Sequence, residues 1–219
     1  EVLAMISVPS FDPNLFVNGI SQTDYNALLN SPDKPLLDRA LRGSYVPGST
    51  IKPFVAAAGL ELGLRKPSDT VMSTGEFFIP GQQRGYRDVR AGGHGRVDLV
   101  QSLAQSVNTY YYALALELGI DRFSSYMARF GFGKPTGIDL EGEGSGVLPS
   151  KEWKQGRFGK PWYPGETVIS GIGQGFWVVT PVQRASAVAT ISVGGVAHRP
   201  RLLHATQQGI GDAPEPVAE

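Results

Sequence analysis

The feature that most constrains the fold is a long amphipathic segment in the middle of the chain. Between residues 98 and 118, apolar side chains recur at spacings of three and four: Leu99, Leu103, Val107, Tyr111, Leu114 and Leu118. Such spacing places the side chains along one face of a helix. The segment therefore predicts a helical path with one buried face.

Length and composition limit the class of protein. With 219 residues the chain is long enough for one sizeable core, and we expect one domain with a subdomain. Its 20 basic and 20 acidic residues balance, so net charge gives no argument for nucleic acid or an anionic membrane as a partner. The absence of Cys excludes disulfides, thiolate nucleophiles and Cys-ligated zinc. No apolar run approaches the roughly 18 residues that cross a bilayer, so we expect any membrane anchor to lie outside this sequence.

The remaining pattern predicts a mixture of helices and short strands. Helices are expected over residues 23–29, 49–62, 121–129 and 181–193 and from residue 150, and strands over residues 2–8, 138–140 and 197–204. Residues 66–96 are predicted to be irregular. After Leu203 the composition turns to Gly, Gln, Pro and acidic residues. We expect one domain over residues 1–206, incomplete at its C-terminus, and a flexible loop or linker over residues 207–219.

The first candidate for chemistry is a Ser-x-x-Lys motif, Ser49-Thr50-Ile51-Lys52. A spacing of three on a helix brings two side chains to one face, so hydroxyl and amine can touch. A serine hydroxyl is a poor nucleophile without an adjacent base, and a lysine amine serves as that base when its pKa is lowered. A helix start also offers unpaired N–H groups to a developing negative charge. Ser49 is the candidate nucleophile and Lys52 the candidate base.

An alternative interpretation of this motif is structural. Two common residues at a fixed spacing occur by chance about once in a chain of this length, and Ser31-Pro32-Asp33-Lys34 is a second example. Its prolines predict a turn, where the spacing gives no shared face. Ser49 itself could be a helix N-cap beside a solvated lysine.

Further support comes from Ser106-Val107-Asn108, the one Ser-x-Asn in the sequence. Two residues apart on an unbroken helix, Ser106 and Asn108 would point about 200° apart. A shared role therefore predicts a break in the helical path at residues 106–108. A short loop there would project a hydroxyl for proton transfer and an amide for a substrate carbonyl. The alternative is that both are ordinary polar residues on a helix surface.

Four sequence blocks in order are more specific than either motif alone. They are Pro47-Gly48-Ser49-Thr50-Ile51-Lys52-Pro53-Phe54, Ser106-Val107-Asn108, Phe130-Gly131-Phe132-Gly133 with Thr136-Gly137-Ile138-Asp139-Leu140, and Gly171-Ile172-Gly173-Gln174-Gly175 with Thr180-Pro181. This order resembles the transpeptidase domain of penicillin-binding proteins. Residues 1–14, 94–96 and 153–163 further resemble the class B members that act in cell elongation in Gram-negative bacteria.

The resemblance implies an α+β fold, in which a helical subdomain packs on a five-stranded antiparallel sheet with the active site between them. Residues 1–206 would form the transpeptidase domain. The implied activity is that of a serine-type D,D-transpeptidase, which forms an acyl-enzyme on Ser49 from D-Ala-D-Ala stem peptides and cross-links peptidoglycan during elongation. Lys52 would be the base, Ser106 would relay a proton, and Asn108 would hydrogen-bond the substrate or a β-lactam side chain.

The resemblance also implies ligands, partners and a location. The ligands are peptidoglycan stem peptides and β-lactam antibiotics, the partner is a glycosyltransferase of the elongation complex, and no cofactor is implied. The location is the periplasmic face of the bacterial inner membrane, with an N-terminal anchor outside this sequence. The same residues would also suit a D,D-carboxypeptidase or a β-lactamase-type hydrolase. A non-catalytic module that binds peptidoglycan or β-lactams is the alternative from another class.

One family motif, Lys-[Thr/Ser]-Gly, is absent from the sequence. Ser73-Thr74-Gly75 lacks the lysine, and Lys134-Pro135-Thr136-Gly137 has the wrong spacing. We expect the strand that carries this motif to follow the end of the chain.

Two other kinds of site have little support in the sequence. Residues 171–175 lack the final glycine of a dinucleotide-binding loop, because Phe176 stands in its place. Asp69, Asp88, His94 and Asp98 have irregular spacings for metal ligands and are expected to be capping or surface residues. We therefore expect no metal site.

Overall fold

The computed structural model describes residues 2–217 and divides into two compact units. The central unit comprises Val46–Gly133 and Gly146–Val178. The flanking unit comprises the residues up to Tyr45, Lys134–Ser145 and the residues from Val179 onward. Among the described residues, no helix combines the length and the hydropathy needed to span a membrane.

The described residues form eight α-helices and six short strands. The helices are α1 (Gln22–Leu29), α2 (Arg39–Arg42), α3 (Lys52–Glu61), α4 (Leu99–Ala104), α5 (Asn108–Ala128), α6 (Lys151–Phe158), α7 (Pro164–Ser170) and α8 (Pro181–Ser192). The strands are β1 (Val71–Ser73), β2 (Glu76–Phe78), β3 (Gly85–Arg87), β4 (Gly95–Val97), β5 (Ala205–Thr206) and β6 (Glu215–Pro216). Short 3₁₀ helices occupy Pro13–Phe16 and Gly48–Ile51.

Helix α5 forms the centre of the central unit and packs against α3 and α7. Tyr111, Leu114 and Leu118 on its apolar face are at most 1% exposed, as the amphipathic pattern predicts. Helix α3 approaches closely at Gly59, where an added Cβ would lie 2.9 Å from a methyl carbon of Leu114. Leu103 is 37% exposed, contrary to the pattern, because α4 is a separate helix whose buried face does not follow the phase of α5.

Most of the predicted helices are confirmed, with limited changes at their ends. The expected boundary between residues 118 and 121 is a kink inside α5, where Gly119 has φ +68°. Helix α8 begins with a capping box, in which Thr180 and Gln183 exchange side-chain-to-backbone hydrogen bonds. The sequence pattern missed α2 and α7, both of which are shorter than eight residues.

The strands were predicted poorly. Residues 66–96, expected to be irregular, contain β1 to β3 and the start of β4, which form the antiparallel pairs β1–β4 and β2–β3. These strands have only three residues each, too few for an alternating pattern to show. No strand is assigned to residues 2–8, 138–140 or 197–204. A run of strand-forming residues needs a paired neighbour, and in the flanking unit Val2 donates to the Arg201 carbonyl through one backbone bond of 3.0 Å.

The flanking unit contains α1, α2 and α8 and one antiparallel pair, β5–β6. Helix α2 packs against α8, and an isolated bridge joins Tyr45 to Val179. Strand β6 lies within residues 207–219, the segment expected to be loop or linker, and residues 218 and 219 lie outside the described residues. All sheet pairing among the described residues is two-stranded, so they do not include the five-stranded sheet that the resemblance implies.

Candidate active site

Ser49 lies in the 3₁₀ helix Gly48–Ile51, which runs directly into α3. The side chain is exposed, and Pro53 near the start of α3 occupies a position where a missing N–H costs little. Thr50 Oγ1 donates to the Pro47 carbonyl at 2.7 Å and so holds the turn closed. The predicted placement of Ser49 at a helix start is confirmed.

A glycine-rich loop packs against this turn through backbone atoms. Gly48 N–H donates to the Gly173 carbonyl at 2.9 Å. A Cβ added to Gly173 would lie 2.2 Å from the Gly48 carbonyl oxygen, and Gly173 has φ +69°, which other residues rarely adopt. Residues 171–175 therefore support the backbone immediately before Ser49, which is a structural role for the loop.

Lys52 is buried, at 2% exposure, and its ammonium group has three acceptors. Lys52 Nζ donates to the Ser106 carbonyl at 2.6 Å, to Ser106 Oγ at 3.0 Å and to Asn108 Oδ1 at 2.7 Å. Burial lowers the pKa of Lys52 to about 8, and the negative charge of Asp88 opposes this shift. An ordinary lysine has a pKa near 10.5. With a pKa of about 8, roughly a tenth of Lys52 is the neutral amine at pH 7.

The helical path breaks where the Ser-x-Asn motif requires it. Helix α4 ends at Ala104 and α5 begins at Asn108. Ser106 lies between them with φ +53°, a left-handed conformation that is uncommon and costly for a residue other than glycine. Val107 turns into the core with 0% exposure. The predicted loop is confirmed, and it brings Ser106 and Asn108 to the same side, against Lys52.

Asp88, expected to be a capping or surface residue, follows β3 and has a side chain with 0% exposure. The sequence did not indicate which helix it caps. The Asp88 carboxylate accepts the backbone N–H groups of Asn108 at 3.0 Å and Thr109 at 2.8 Å, together with the Thr109 hydroxyl. Ser73 Oγ lies 3.3 Å away. Burial opposes ionisation of this carboxyl, but the hydrogen bonds from Thr109, Asn108 and Val89 outweigh it and lower its pKa. Asp88 therefore anchors the first turn of α5 as an anion.

The remaining candidate residues, Ser31, Asp69 and Asp98, make local structural hydrogen bonds. Ser31 Oγ accepts the Asp33 N–H at 3.3 Å within a turn of the flanking unit, as its prolines predict. Asp69 accepts the Lys66 N–H, and Asp98 caps α4. Among residues 2–217, no group of three or more His, Asp or Glu side chains could hold a metal ion.

Proteins of known identity share this sequence and fold. The peptidoglycan D,D-transpeptidase MrdA of Escherichia coli strain K12 is 48% identical over 207 residues, which cover 94% of this chain and 33% of the relative. The crystal structure of Pseudomonas aeruginosa PBP2 in complex with WCK 5153 matches with a TM-score of 0.92 at 45% identity, covering 99% of this chain and 48% of that one. A chain from a peptidoglycan synthase complex that coordinates polymerization and crosslinking matches with a TM-score of 0.81 at 36% identity, covering 97% and 36%.

These likenesses confirm the predicted α+β transpeptidase fold and the resemblance to the enzymes of Gram-negative bacteria. The chain spans about a third of the length of the curated relatives that it matches. The family model described as "Penicillin binding protein transpeptidase domain" matches residues 1–218. This match and the 48% identity with the relative from Escherichia coli show that the chain belongs to the penicillin-binding protein transpeptidase family.

Proposed function

We propose that this chain carries the acylation centre of a peptidoglycan D,D-transpeptidase, with Ser49 as the nucleophile. The observation that carries this proposal is the buried Lys52, whose ammonium group is held by Ser106 and Asn108 next to the turn that presents an exposed Ser49. The substrate is a stem peptide that ends in D-Ala-D-Ala. The related protein of Escherichia coli is named for this reaction.

In the acylation step, Ser49 Oγ bonds to the carbonyl carbon of the penultimate D-Ala while its proton passes to Lys52 Nζ. Burial, which lowers the pKa of Lys52 to about 8, supports this role because it makes the neutral amine accessible. The tetrahedral intermediate then collapses, and the C–N bond to the terminal D-Ala breaks. The leaving nitrogen needs a proton, and Ser106 Oγ, 3.0 Å from Lys52 Nζ, is the group that we assign to relay it.

The second step transfers the acyl group to an amine of a neighbouring stem peptide. The attacking amine loses a proton through Ser106 to Lys52. The ester bond to Ser49 breaks as Lys52 passes that proton to Ser49 Oγ, which restores the hydroxyl and the neutral amine. We assign the Asn108 side chain to binding the substrate amide. Its Oδ1 accepts from Lys52, and its Nδ2 group is the donor suited to a substrate carbonyl.

The proposed function also implies ligands, a partner and a location. β-Lactams would acylate Ser49 and leave a slowly hydrolysed ester. A glycosyltransferase partner of the elongation complex is supported by the similarity to a chain from a peptidoglycan synthase complex. We place the protein at the periplasmic face of the inner membrane, assign residues 1–206 to the transpeptidase domain and assign residues 207–219 to a loop or linker.

The test is intact-mass spectrometry of the full-length protein that carries this chain, after incubation with a fluorescent penicillin. Parent and Ser31→Ala proteins should each gain the mass of one penicillin, whereas Ser49→Ala should gain none. The control is matched, because Ser31 begins the other Ser-x-x-Lys of the sequence. Labelling of Ser49→Ala, or an unlabelled parent, would overturn the proposed nucleophile.

A second assay identifies the acceptor. A stem pentapeptide and an amine acceptor are incubated with the parent protein, and the products are separated by mass. We expect the cross-linked product. Release of D-Ala with hydrolysis alone would instead show a carboxypeptidase, and stable acylation without turnover of the peptide would show a binding module.

A further inference from the structure

The buried carboxylate of Asp88 has no part in the proposed acylation steps, yet it is hydrogen-bonded to Asn108, the residue whose side chain accepts from Lys52. It is fully enclosed, and every hydrogen bond that it accepts in the structure comes from its own loop, from the start of α5 or from Ser73. A buried carboxylate is costly unless it is well hydrogen-bonded, so a carboxylate at this place requires an explanation.

Asp88 holds the start of α5 through backbone hydrogen bonds. The first N–H groups of a helix have no partner within the helix. In α5 those of Asn108 and Thr109 are taken by Asp88, each to a different carboxylate oxygen. Asn108 therefore makes both contacts: its backbone N–H donates to Asp88, and its side-chain oxygen accepts from Lys52. The position of the Asn108 side chain therefore depends on the backbone that Asp88 holds.

Asp88 also acts on Lys52 through its negative charge. The groups that act on Lys52 are the Asp88 anion, the neutral acceptors Ser106 and Asn108, and the ring of Tyr111, whose centroid lies 5.4 Å from Lys52 Nζ. Two other titratable groups face the carboxylate. The Nε2 atom of His94 lies 3.8 Å from Asp88 Oδ1, and the pKa of Tyr112 is raised by burial and then by the Asp88 charge. Asp88 is thus the source of negative charge that opposes the effect of burial on Lys52.

We propose that Asp88 is a positioning residue of the acylation centre. It holds Asn108 against Lys52, and its negative charge stabilises the protonated form of Lys52. This inference rests on the proposed function of Ser49 and Lys52. It predicts two separable effects, one on the rate of acylation and one on its dependence on pH.

The direction of the pH effect follows from the charges. Acylation requires neutral Lys52, so its rate rises with pH through the pKa of Lys52, about 8 in the parent. The Asp88 anion stabilises the protonated amine and raises that pKa. Loss of the anion therefore lowers it, and the midpoint of the pH profile moves to lower pH.

The experiment measures the second-order rate of acylation by a fluorescent penicillin from pH 6 to pH 10, in the full-length protein. Asp88→Asn should move the midpoint down by about half a unit or more. It should also reduce the plateau rate by about tenfold or more, since the amide replaces one of the two acceptor oxygens and the start of α5 shifts. The matched control is Asp98→Asn, the same change at the N-cap of α4, where Asn caps as well as Asp. It should leave both values unchanged.

A second variant keeps the test informative if Asp88→Asn does not fold. Thr109→Val removes one hydroxyl donor to Asp88 and retains the charge and nearly the same volume. The plateau rate should fall, while the midpoint should stay where it is in the parent. Circular dichroism and thermal unfolding establish which variants are folded.

The outcomes separate this inference from the proposed function. If the parent is acylated on Ser49 and folded Asp88→Asn has the parent's rate and midpoint, the role of Asp88 is wrong and the function stands. A midpoint that moves to higher pH, or a shifted midpoint in Thr109→Val, would also overturn it. A parent that is not acylated on Ser49 contradicts the proposed function itself.

Discussion

The central unit contains two buried lysines with similar exposure and different surroundings. Lys52 is 2% exposed and Lys154 is 3% exposed. Lys154 has a direct carboxylate partner, Glu166, and three aromatic rings around its ammonium group, the nearest being Tyr163 with its centroid at 4.5 Å. Lys52 donates its hydrogen bonds only to neutral oxygens, and one ring, that of Tyr111, lies near its ammonium group. The one anion that affects it, Asp88, is hydrogen-bonded to other groups.

The two lysines therefore differ in the charge of their partners and not in their exposure. A carboxylate in direct contact, together with aromatic faces, favours the charged amine. Neutral acceptors satisfy the hydrogen bonds of an ammonium group without cancelling its charge, so burial lowers the pKa of Lys52. We therefore expect Lys154 to act as a structural ion pair that connects α6 to α7, and Lys52 to act in proton transfer.

The largest expected effect comes from exchanging each lysine for arginine, which keeps the charge and does not deprotonate in proteins. Lys52→Arg should reduce the rate of penicillin acylation by about a thousandfold or more. Lys154→Arg is the matched control and, once circular dichroism shows it to be folded, should stay within about threefold of the parent, because the guanidinium keeps the charge that pairs with Glu166. Stopped-flow acylation measures both. Equal losses in the two variants, with both proteins folded, would abolish the distinction between the two lysines.

The next effect concerns stability. Glu166→Gln leaves the buried charge of Lys154 without its partner and should lower the free energy of unfolding by about 3 kcal/mol. Urea denaturation measures this change. The double variant Lys154→Met with Glu166→Gln should recover part of the loss, since no unpaired charge remains. A double variant less stable than Glu166→Gln would contradict the ion-pair interpretation.

The smallest effect is a dependence of stability on pH. The pKa of Lys52 is about 8 in the folded protein against 10.5 for an ordinary lysine. Between these values the unfolded chain binds more protons, so the contribution of Lys52 to stability rises with pH. The increase is about 1 kcal/mol from pH 8 to pH 9. Denaturation series at both values should show this increase in the parent relative to Lys52→Met. A difference of zero would place the pKa of Lys52 near its ordinary value.

Sequence reasoning succeeded where the relation is local. The position of Ser49 at a helix start depends on residues within one turn of chain. The break at Ser106 was predicted because Ser106 and Asn108 would otherwise point to opposite sides of a helix. Sequence reasoning failed for Asp88, whose partners on α5 begin 20 residues further along the chain. Nothing in a spacing that long distinguishes an anchor of a helix from a surface carboxylate.

The strands show the same limit. Residues 2–8 have the composition of a strand, but strand formation requires a neighbour to complete its hydrogen bonds, and composition does not indicate whether one is present. Conversely, β1 and β4 pair across more than 20 residues of glycine-rich chain, and each is too short to show alternation. The periodicity of one segment does not show which distant segment it pairs with.

The contact between Gly48 and Gly173 has a consequence for variation in this family. It joins main chain to main chain, so it makes no demand on neighbouring side chains beyond the two glycines. Substitution of the exposed Gln174 on the same loop can therefore change the surface there while the backbone that carries Ser49 keeps its place. The arrangement separates a side chain that can vary from a backbone contact that must stay constant, because that contact positions Ser49, the proposed nucleophile.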